Sequence, residues 1–403
     1  MSILNELRNE KSWNNFFQYK IDHSLLTPGE EKYFRNYIEH KKYLPIANEI
    51  IDGTYHFSPP TKYLINKIDK SKKRVVYQYN EHETMILKLL SFLLYKYDNK
   101  FAPNCYSFRQ NYGVKQAIFN ITTTREIKYL ACYKVDIENY FNSIPIPLLL
   151  SKLENFISDD PSLFQFMKQL LIDKKVFFQG QIIEEEKGIM AGVPISAFLS
   201  NVFLNDIDHF YAEKNILYAR YADDIILFCE SEKLYDYVVT LENQILKLNL
   251  NLNQDKREII APNNKWTFLG FSYDNGVVDI SDVTKKKIKQ KIKRFSKKIR
   301  RWMIAKNASP ERALKTINRK FNKKFYFMEN GKDLTWSRWF FPVINTTNGL
   351  REIDKYMQEC LRYVVTGKHN KKNYGNIKYS YLKQCNYRPL VSEYYKDKKE
   401  IRQ

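Results

Sequence analysis

Two adjacent aspartates, Asp223 and Asp224, lie between two short apolar runs at residues 216–221 and 225–229. That pattern predicts a tight β-hairpin with acids at its tip. Neighbouring carboxylates repel each other and lose hydration in such a setting, so the pair is costly alone. A bound cation offsets that cost. Asp136 supplies a third carboxylate at the end of residues 129–137 (YLACYKVDI), which read as a strand. Hard divalent cations take carboxylate oxygens. Two such cations about 3.5–4 Å apart serve phosphoryl transfer, where positioning and electrostatics supply nearly all of the catalysis. The plain alternative is a polar turn without a metal, since aspartate is common in turns.

The elements around these acids must hold them rigidly. Residues 1–70 read as mostly helical, with a break at Ser58-Pro59-Pro60. Residues 83–97 carry apolar positions at helical spacing, and residues 147–172 read as helix. Residues 176–183 read as a hairpin around Gln179-Gly180. A loop at 188–194 leads into a helix from about 196 to 209, and another helix is expected over 233–248. Residues 266–271 (WTFLGF) read as one strand. Over residues 285–301 the composition changes abruptly: eleven of these seventeen residues are Lys or Arg. Ile288, Ile292, Phe295 and Ile299 form one apolar seam there, leaving a strongly basic helix face.

Composition narrows the partners. Lysine and arginine exceed the acids by 21, and the pI is about 9.4, which implies a polyanion such as nucleic acid or an anionic membrane surface. No apolar run is long enough to span a membrane, and the charged N-terminus lacks a signal-peptide core, so a cytoplasmic protein with no membrane partner is expected. The five cysteines form no C-x-x-C pair and the six histidines show no zinc or nuclease constellation. Reduced core thiols are the expected state. No Walker-type phosphate loop occurs.

Six blocks follow one another over residues 70–275: 105–109 (CYSFR), 134–137 (KVDI) with Tyr140-Phe141, 188–196 (GIMAGVPIS), 221–224 (YADD), 252–256 (LNQDK) and 268–271 (FLGF). In this order the chain resembles the reverse transcriptase family. The resemblance implies an α+β, right-hand polymerase fold with fingers, an antiparallel-sheet palm and a helical thumb, plus a helical C-terminal region. The expected divisions are an N-terminal helical extension (1–70), fingers and palm (71–275), a basic helical thumb (276–330) and an aromatic, basic C-terminal region (331–403).

The resemblance also implies roles. Asp136 and Asp223 would be the principal ligands of two Mg²⁺ ions, with Mn²⁺ as a substitute. Asp224 would be accessory, and the main-chain carbonyl of Ile137 would complete a metal shell. Phe141 stands at the sugar-discriminating position, where a large ring collides with a ribose 2′-hydroxyl. Lys73 and Arg74 fall where the family binds the triphosphate, and Ala191 and Tyr221 border the nucleotide. Many relatives carry glutamine at the Ala191 position, so its hydrogen bonds to sugar and template are missing here. The family's usual "S-P" reads Ser196-Ala197.

Arg109 is expected on the template or the nucleotide, with a surface salt bridge as the alternative. Lys256 would help to hold the active-site region, and Phe268, Leu269 and Gly270 would form a primer grip. Lys289, Lys293, Arg294, Lys297, Arg300 and Arg301 would contact the template–primer backbone. The implied function is RNA-directed DNA synthesis from dNTPs, with a noncoding RNA as template, in bacterial anti-phage defence. A retron-type enzyme, an untemplated or protein-primed DNA polymerase, an RNA polymerase and an RNA-binding module with an inactive palm are the alternatives. A homo-oligomer stays open.

Overall fold

A computed structural model describes residues 2–23, 25–66, 73–326 and 335–400, with the side chain of Glu400 outside the description. The chain folds as two units: Met1–Ala117 with Arg125–Pro262, and Ile118–Thr124 with Asn263–Gln403. The division differs from the expected one. Residues 1–66 belong to the first unit, and residues 263–275 belong with the basic helix.

The N-terminal helices, Glu10–Asp22, Pro28–Glu39 and Leu44–Ile51, close on an aromatic cluster. Trp13 stacks on Tyr43 at 4.8 Å, and Phe16 lies 5.3 Å from Phe92 of the helix Glu81–Leu93. Burial of these rings ties the segment to the core that carries the site. Residues 61–66 form a strand where helix was expected, and residues 67–70 of that expected segment lie outside the described residues. Strand β1 (Thr61–Asn66) pairs with β2 (Lys73–Gln78), and residues 67–72 between them lie outside the described residues.

The central sheet begins at β3 (Ala131–Asp136). The expected long helix at 147–172 is two, Ile146–Phe156 and Pro161–Ile172, because Asp160 caps the second and its other carboxylate oxygen accepts the Ile3 amide. Strands β4 (Lys175–Phe178) and β5 (Gln181–Glu184) form the hairpin predicted at Gln179-Gly180, with positive φ at both turn residues. They join β1 and β2 in a sheet of order β2-β1-β4-β5.

The helix Ser196–Glu213 is buried along most of its length, polar Ser196, Ser200, Asn201, Asn205 and Asp208 included. It precedes β6 (Leu217–Tyr221) and β7 (Asp224–Cys229). After the helix Ser231–Lys247 comes β8 (Glu258–Ile260), completing an antiparallel sheet of order β6-β7-β3-β8.

The second unit opens with β9 (Trp266–Phe268), β10 (Phe271–Asp274) and β11 (Val277–Ile280). The single strand expected over 266–271 is therefore a hairpin, turned at Leu269 and Gly270, both with positive φ. Ser281 caps the basic helix Asp282–Ala305, and the helices Pro310–Phe325 and Asn348–Thr366 pack beside it. Buried Asp354 accepts the amides of Leu390 and Val391, fixing the start of the helix Leu390–Glu400.

Candidate catalytic metal centre

Strand register brings the three acids together. Asp136 ends β3 directly opposite Asp224, the first residue of β7, and Asp224 also pairs with Tyr221. Ala222 and Asp223 form the two-residue turn, with Ala222 at φ +57°. The Ile137 amide donates to the Asp223 carbonyl at 3.1 Å, which fastens the turn to the end of β3. One oxygen from each of Asp136, Asp223 and Asp224 lies within 4.8 Å of the others.

Electrostatically this cluster is unfinished. Burial, then the charge of Asp136, holds the Asp223 carboxyl above its ordinary range. Burial, then Asp223 and Asp136, raises Asp224 to about 6. Lys256 Nζ lies 2.6 Å from Asp136 Oδ2, and Asn253 Nδ2 donates to Asp136 Oδ1 at 3.4 Å. Burial works to lower the Lys256 pKa, but its bond to Asp136 prevails and raises it. Lys256 bonds the cluster, and Arg74 and Lys134 act on it electrostatically, yet burial and mutual repulsion still hold Asp223 and Asp224 above the ordinary carboxylate range. An all-oxygen donor set with that repulsion fits hard divalent cations.

Tyr221, which pairs with Asp224, begins a chain of three rings. Phe108 lies 6.0 Å from half-buried Phe141 and 6.3 Å from Tyr221. Arg74 is near enough to Asp223 to draw its pKa down, while Lys73 is exposed at the start of β2. The loop carrying Ala191 is stitched by its backbone. Ala191 N–H donates to Asn142 Oδ1 at 3.0 Å, its carbonyl accepts the Tyr77 amide at 2.8 Å, and Asn142 Nδ2 donates to the Val75 carbonyl. Gly188 is obligatory there: its φ is +52°, and a Cβ would lie 2.5 Å from the Phe141 carbonyl oxygen.

Arg109 is corrected from its expected role. Its side chain is buried, and the guanidinium donates to the Asp98 carboxylate and to the carbonyls of Asp98, Ala102 and Cys105. It also lies 3.8 Å over the Tyr112 ring. No donor is left for a template. Phe268 is likewise buried within the second unit, opposite Phe271, so its ring is core, whereas Leu269 and Gly270 form the turn.

The basic helix Asp282–Ala305 divides its cations. Lys289 bonds Glu352 at 2.6 Å, and Arg300 donates to the carbonyls of Val364 and Val365, so these two are taken up by the helix Asn348–Thr366. Lys293, Arg294, Lys297 and Arg301 are exposed. Arg294 and Lys298 line a groove with Lys320, and a cleft of about 1340 Å³ continues past Lys298 to Arg312 and Arg319.

Sequence reasoning missed the buried charge near the turn. Arg220 and Asp208 form a fully buried ion pair, and Asn201 and Ser107 join them to the turn backbone. The signal was present for Arg220, an arginine within a mostly apolar strand, where a buried charge demands a partner.

Residues 65–273, just over half of the chain, match the family described as reverse transcriptase (RNA-dependent DNA polymerase). Protein YkfC of Escherichia coli (strain K12) is 25% identical over 217 residues, which are 43% of this chain and 56% of that protein. The chain thus spans about half the length of the curated relative it matches. Among solved structures, apo telomerase from Candida tropicalis, truncated from the C-terminal domain, is 15% identical with a TM-score of 0.44, covering 56% of this chain and 55% of that one. Telomerase from Candida albicans, in complex with a fragment of telomeric RNA, is 13% identical with a TM-score of 0.46, covering 87% and 68%.

Proposed function

The chain belongs to the reverse transcriptase family, and from that premise we propose that it is an RNA-directed DNA polymerase, a nucleotidyltransferase that joins dNTPs on an RNA template. The observation that carries the reading is the cluster of Asp136, Asp223 and Asp224 at the ends of two register-paired strands. Two Mg²⁺ ions held by these acids, with Mn²⁺ as a substitute, would supply activation of the primer hydroxyl and charge neutralisation on the triphosphate. Arg74 and Lys73 bind the triphosphate, and the Phe141 ring meets the sugar at C2′. The exposed cations of the basic helix hold the nucleic-acid backbone.

The finer reading is synthesis of cDNA on a bound noncoding RNA in bacterial defence. Its support is the basic groove and cleft of the second unit, and a residue at position 191 that offers the nucleotide no side-chain hydrogen bond.

Primer extension by the full chain tests the first reading, with dNTPs and rNTPs compared on RNA and DNA templates. Incorporation of dNTPs on RNA is expected, and Asp223→Ala with Asp224→Ala abolishes it. Retention of full activity by that double variant would refute the catalytic assignment. Phe141→Ala is expected to relax discrimination against rNTPs by about 10- to 100-fold, and unchanged discrimination would remove Phe141 from the sugar pocket. Purification from cells, with sequencing of bound RNA and DNA product, tests the noncoding-RNA reading. Recovery of random cellular RNA would oppose it.

A further inference from the structure

Ala222 occupies the left-handed region at φ +57°, one residue before Asp223. A residue with a Cβ is strained there, and such strain persists only where surrounding contacts over-determine the backbone. Here both polar groups of Ala222 are held. Its N–H donates to Ser107 Oγ at 2.9 Å, and its carbonyl accepts from Arg220 Nη1 at 3.2 Å.

The two holding groups are themselves fixed from one helix, Ser196–Glu213. Asn201 Oδ1 accepts from Ser107 Oγ and from Arg220 Nη1, each at 3.2 Å, and Asn201 Nδ2 donates to the Ser107 carbonyl at 2.8 Å. Asp208, on the same helix face, takes Arg220 Nε at 2.8 and 3.0 Å and also pairs with Nη2. Nη2 reaches Cys105 Sγ as well, so every guanidinium N–H has a partner. Ser107, Asn201, Asp208 and Arg220 are all completely buried. The segment bearing Ser107 lies along the edge strand: Arg220 N–H donates to the Asn104 carbonyl, and Tyr106 N–H to the Arg220 carbonyl.

We propose that Ser107, Asn201, Asp208 and Arg220 form a clamp that holds the Ala222 turn in its strained conformation and thereby sets the spacing of Asp136, Asp223 and Asp224. Ser107 and Arg220 are positioning residues, since they touch the turn backbone and none of the acids' ligand oxygens. The inference rests on the polymerase reading for its effect on turnover, but not for its effect on the turn or on cation binding. A purely structural ion pair would serve the fold equally well as two apolar side chains. The clamp would not, because only polar groups can grip an amide and a carbonyl.

The test is a cycle of Ser107→Ala, Ala222→Gly and the double variant in the full chain. Four quantities are read: kcat and KM for dNTP, affinity for Mn²⁺ alone by electron paramagnetic resonance, amide exchange at residues 221–224, and Tm. Ser107→Ala is expected to lower kcat and Mn²⁺ affinity by about 10-fold or more, since small misplacements of reacting groups cost that much, with KM within about twofold and exchange at Ala222 accelerated. Glycine adopts positive φ freely, so in the Ala222→Gly background the same change is expected to cost about twofold or less. Equal losses in both backgrounds, or unchanged Mn²⁺ affinity once the Ala222 amide exchanges freely, would overturn the clamp. If the unsubstituted chain fails to polymerise, the functional reading falls while the Mn²⁺ and exchange measurements still decide the clamp. If Ser107→Ala does not fold, Arg220→Met with Asp208→Leu removes both charges together. That variant is expected to keep Tm and lose Mn²⁺ affinity, and retention of both would count against the proposal.

Discussion

The β6–β7 hairpin carries charge on both of its faces, and the two faces are built on opposite terms. Toward the helix Ser196–Glu213, Arg220 and Asp208 are completely buried, yet every charged atom meets a partner inside the chain. On the other face, Asp136, Asp223 and Asp224 crowd within 4.8 Å, Lys256 bonds Asp136, and burial with mutual repulsion outweighs Lys256, Arg74 and Lys134 and raises Asp223 and Asp224. The alternation of a strand separates the two sets: Arg220 and Tyr221 are neighbours in sequence and point to opposite faces. A charge satisfied internally maintains structure. A charge left short of a partner makes a site, because something from outside must complete it.

Substitution on each face breaks this contrast in opposite directions. Asp223→Ala with Asp224→Ala is expected to cut polymerisation at least about 10³-fold, as several kcal/mol of transition-state stabilisation disappear. The same variant, free of metal at neutral pH, is expected to melt no lower than the unsubstituted chain. Acids whose pKa is raised by folding oppose the folded state once ionised, so their removal relieves it. Arg220→Met alone should do the reverse to stability. It strands the buried Asp208 carboxylate and is expected to cost about 3–5 kcal/mol by denaturant unfolding. A melting loss in the first variant, or none in the second, would erase the distinction between the faces.

A smaller effect follows from pH. Asp224 is raised to about 6, and Asp223 is raised as well. Below that value the native carboxyl holds a proton that a cation must displace. Apparent Mg²⁺ affinity is therefore expected to fall by about tenfold per pH unit below 6 for each proton displaced, and to level off above 7. In metal-free protein the sign reverses: the native state holds more protons than the unfolded chain between about 4 and 6, so this contribution favours folding toward acid and fades as pH rises through 6. Titration calorimetry at pH 5, 6 and 7 measures the first trend. A flat affinity would mean that the acids do not bind the cation.

Much of the first contrast could be read before the structure. Asp223 and Asp224 announced themselves because acids between apolar runs are conspicuous, and Asp136 because it terminates a largely apolar strand. The partners of Arg220 could not be paired from sequence, since Cys105, Asn201 and Asp208 meet it only through the packing of a helix on a sheet. Arg109 misled for the same reason. Its type and its block pointed outward, and the fold turned it in against Asp98. The break of residues 266–271 into a hairpin was hidden because Leu269, not only Gly270, takes positive φ. The residues beyond Pro60 read as helix, yet extend as β1 because β2 and β4 are there to pair with them.

The same distinction between satisfied and unsatisfied charge runs along the basic helix of the second unit, where it is weakest and most easily missed. Composition treats its eleven cations alike. The structure does not: Lys289 shares Glu352 with Lys285, and Arg300 is spent on two carbonyls, whereas Lys293 and Lys297 are exposed. Phosphate neutralisation releases counter-ions, so each lost contact flattens the plot of log affinity against log salt by about 0.7–0.9. Lys293→Ala with Lys297→Ala is therefore expected to lower the slope for a labelled template–primer by about 1.5, with Tm unchanged. Lys289→Ala with Arg300→Ala is expected to leave the slope in place and lower Tm by a few degrees, because it removes bonds that join two helices. Fluorescence anisotropy between 50 and 200 mM salt, beside thermal melts, separates the outcomes. Equal slope changes in both variants would show that Glu352 and the Val364 and Val365 carbonyls release their cations when nucleic acid binds, and the division drawn from the free protein would then fail for this helix.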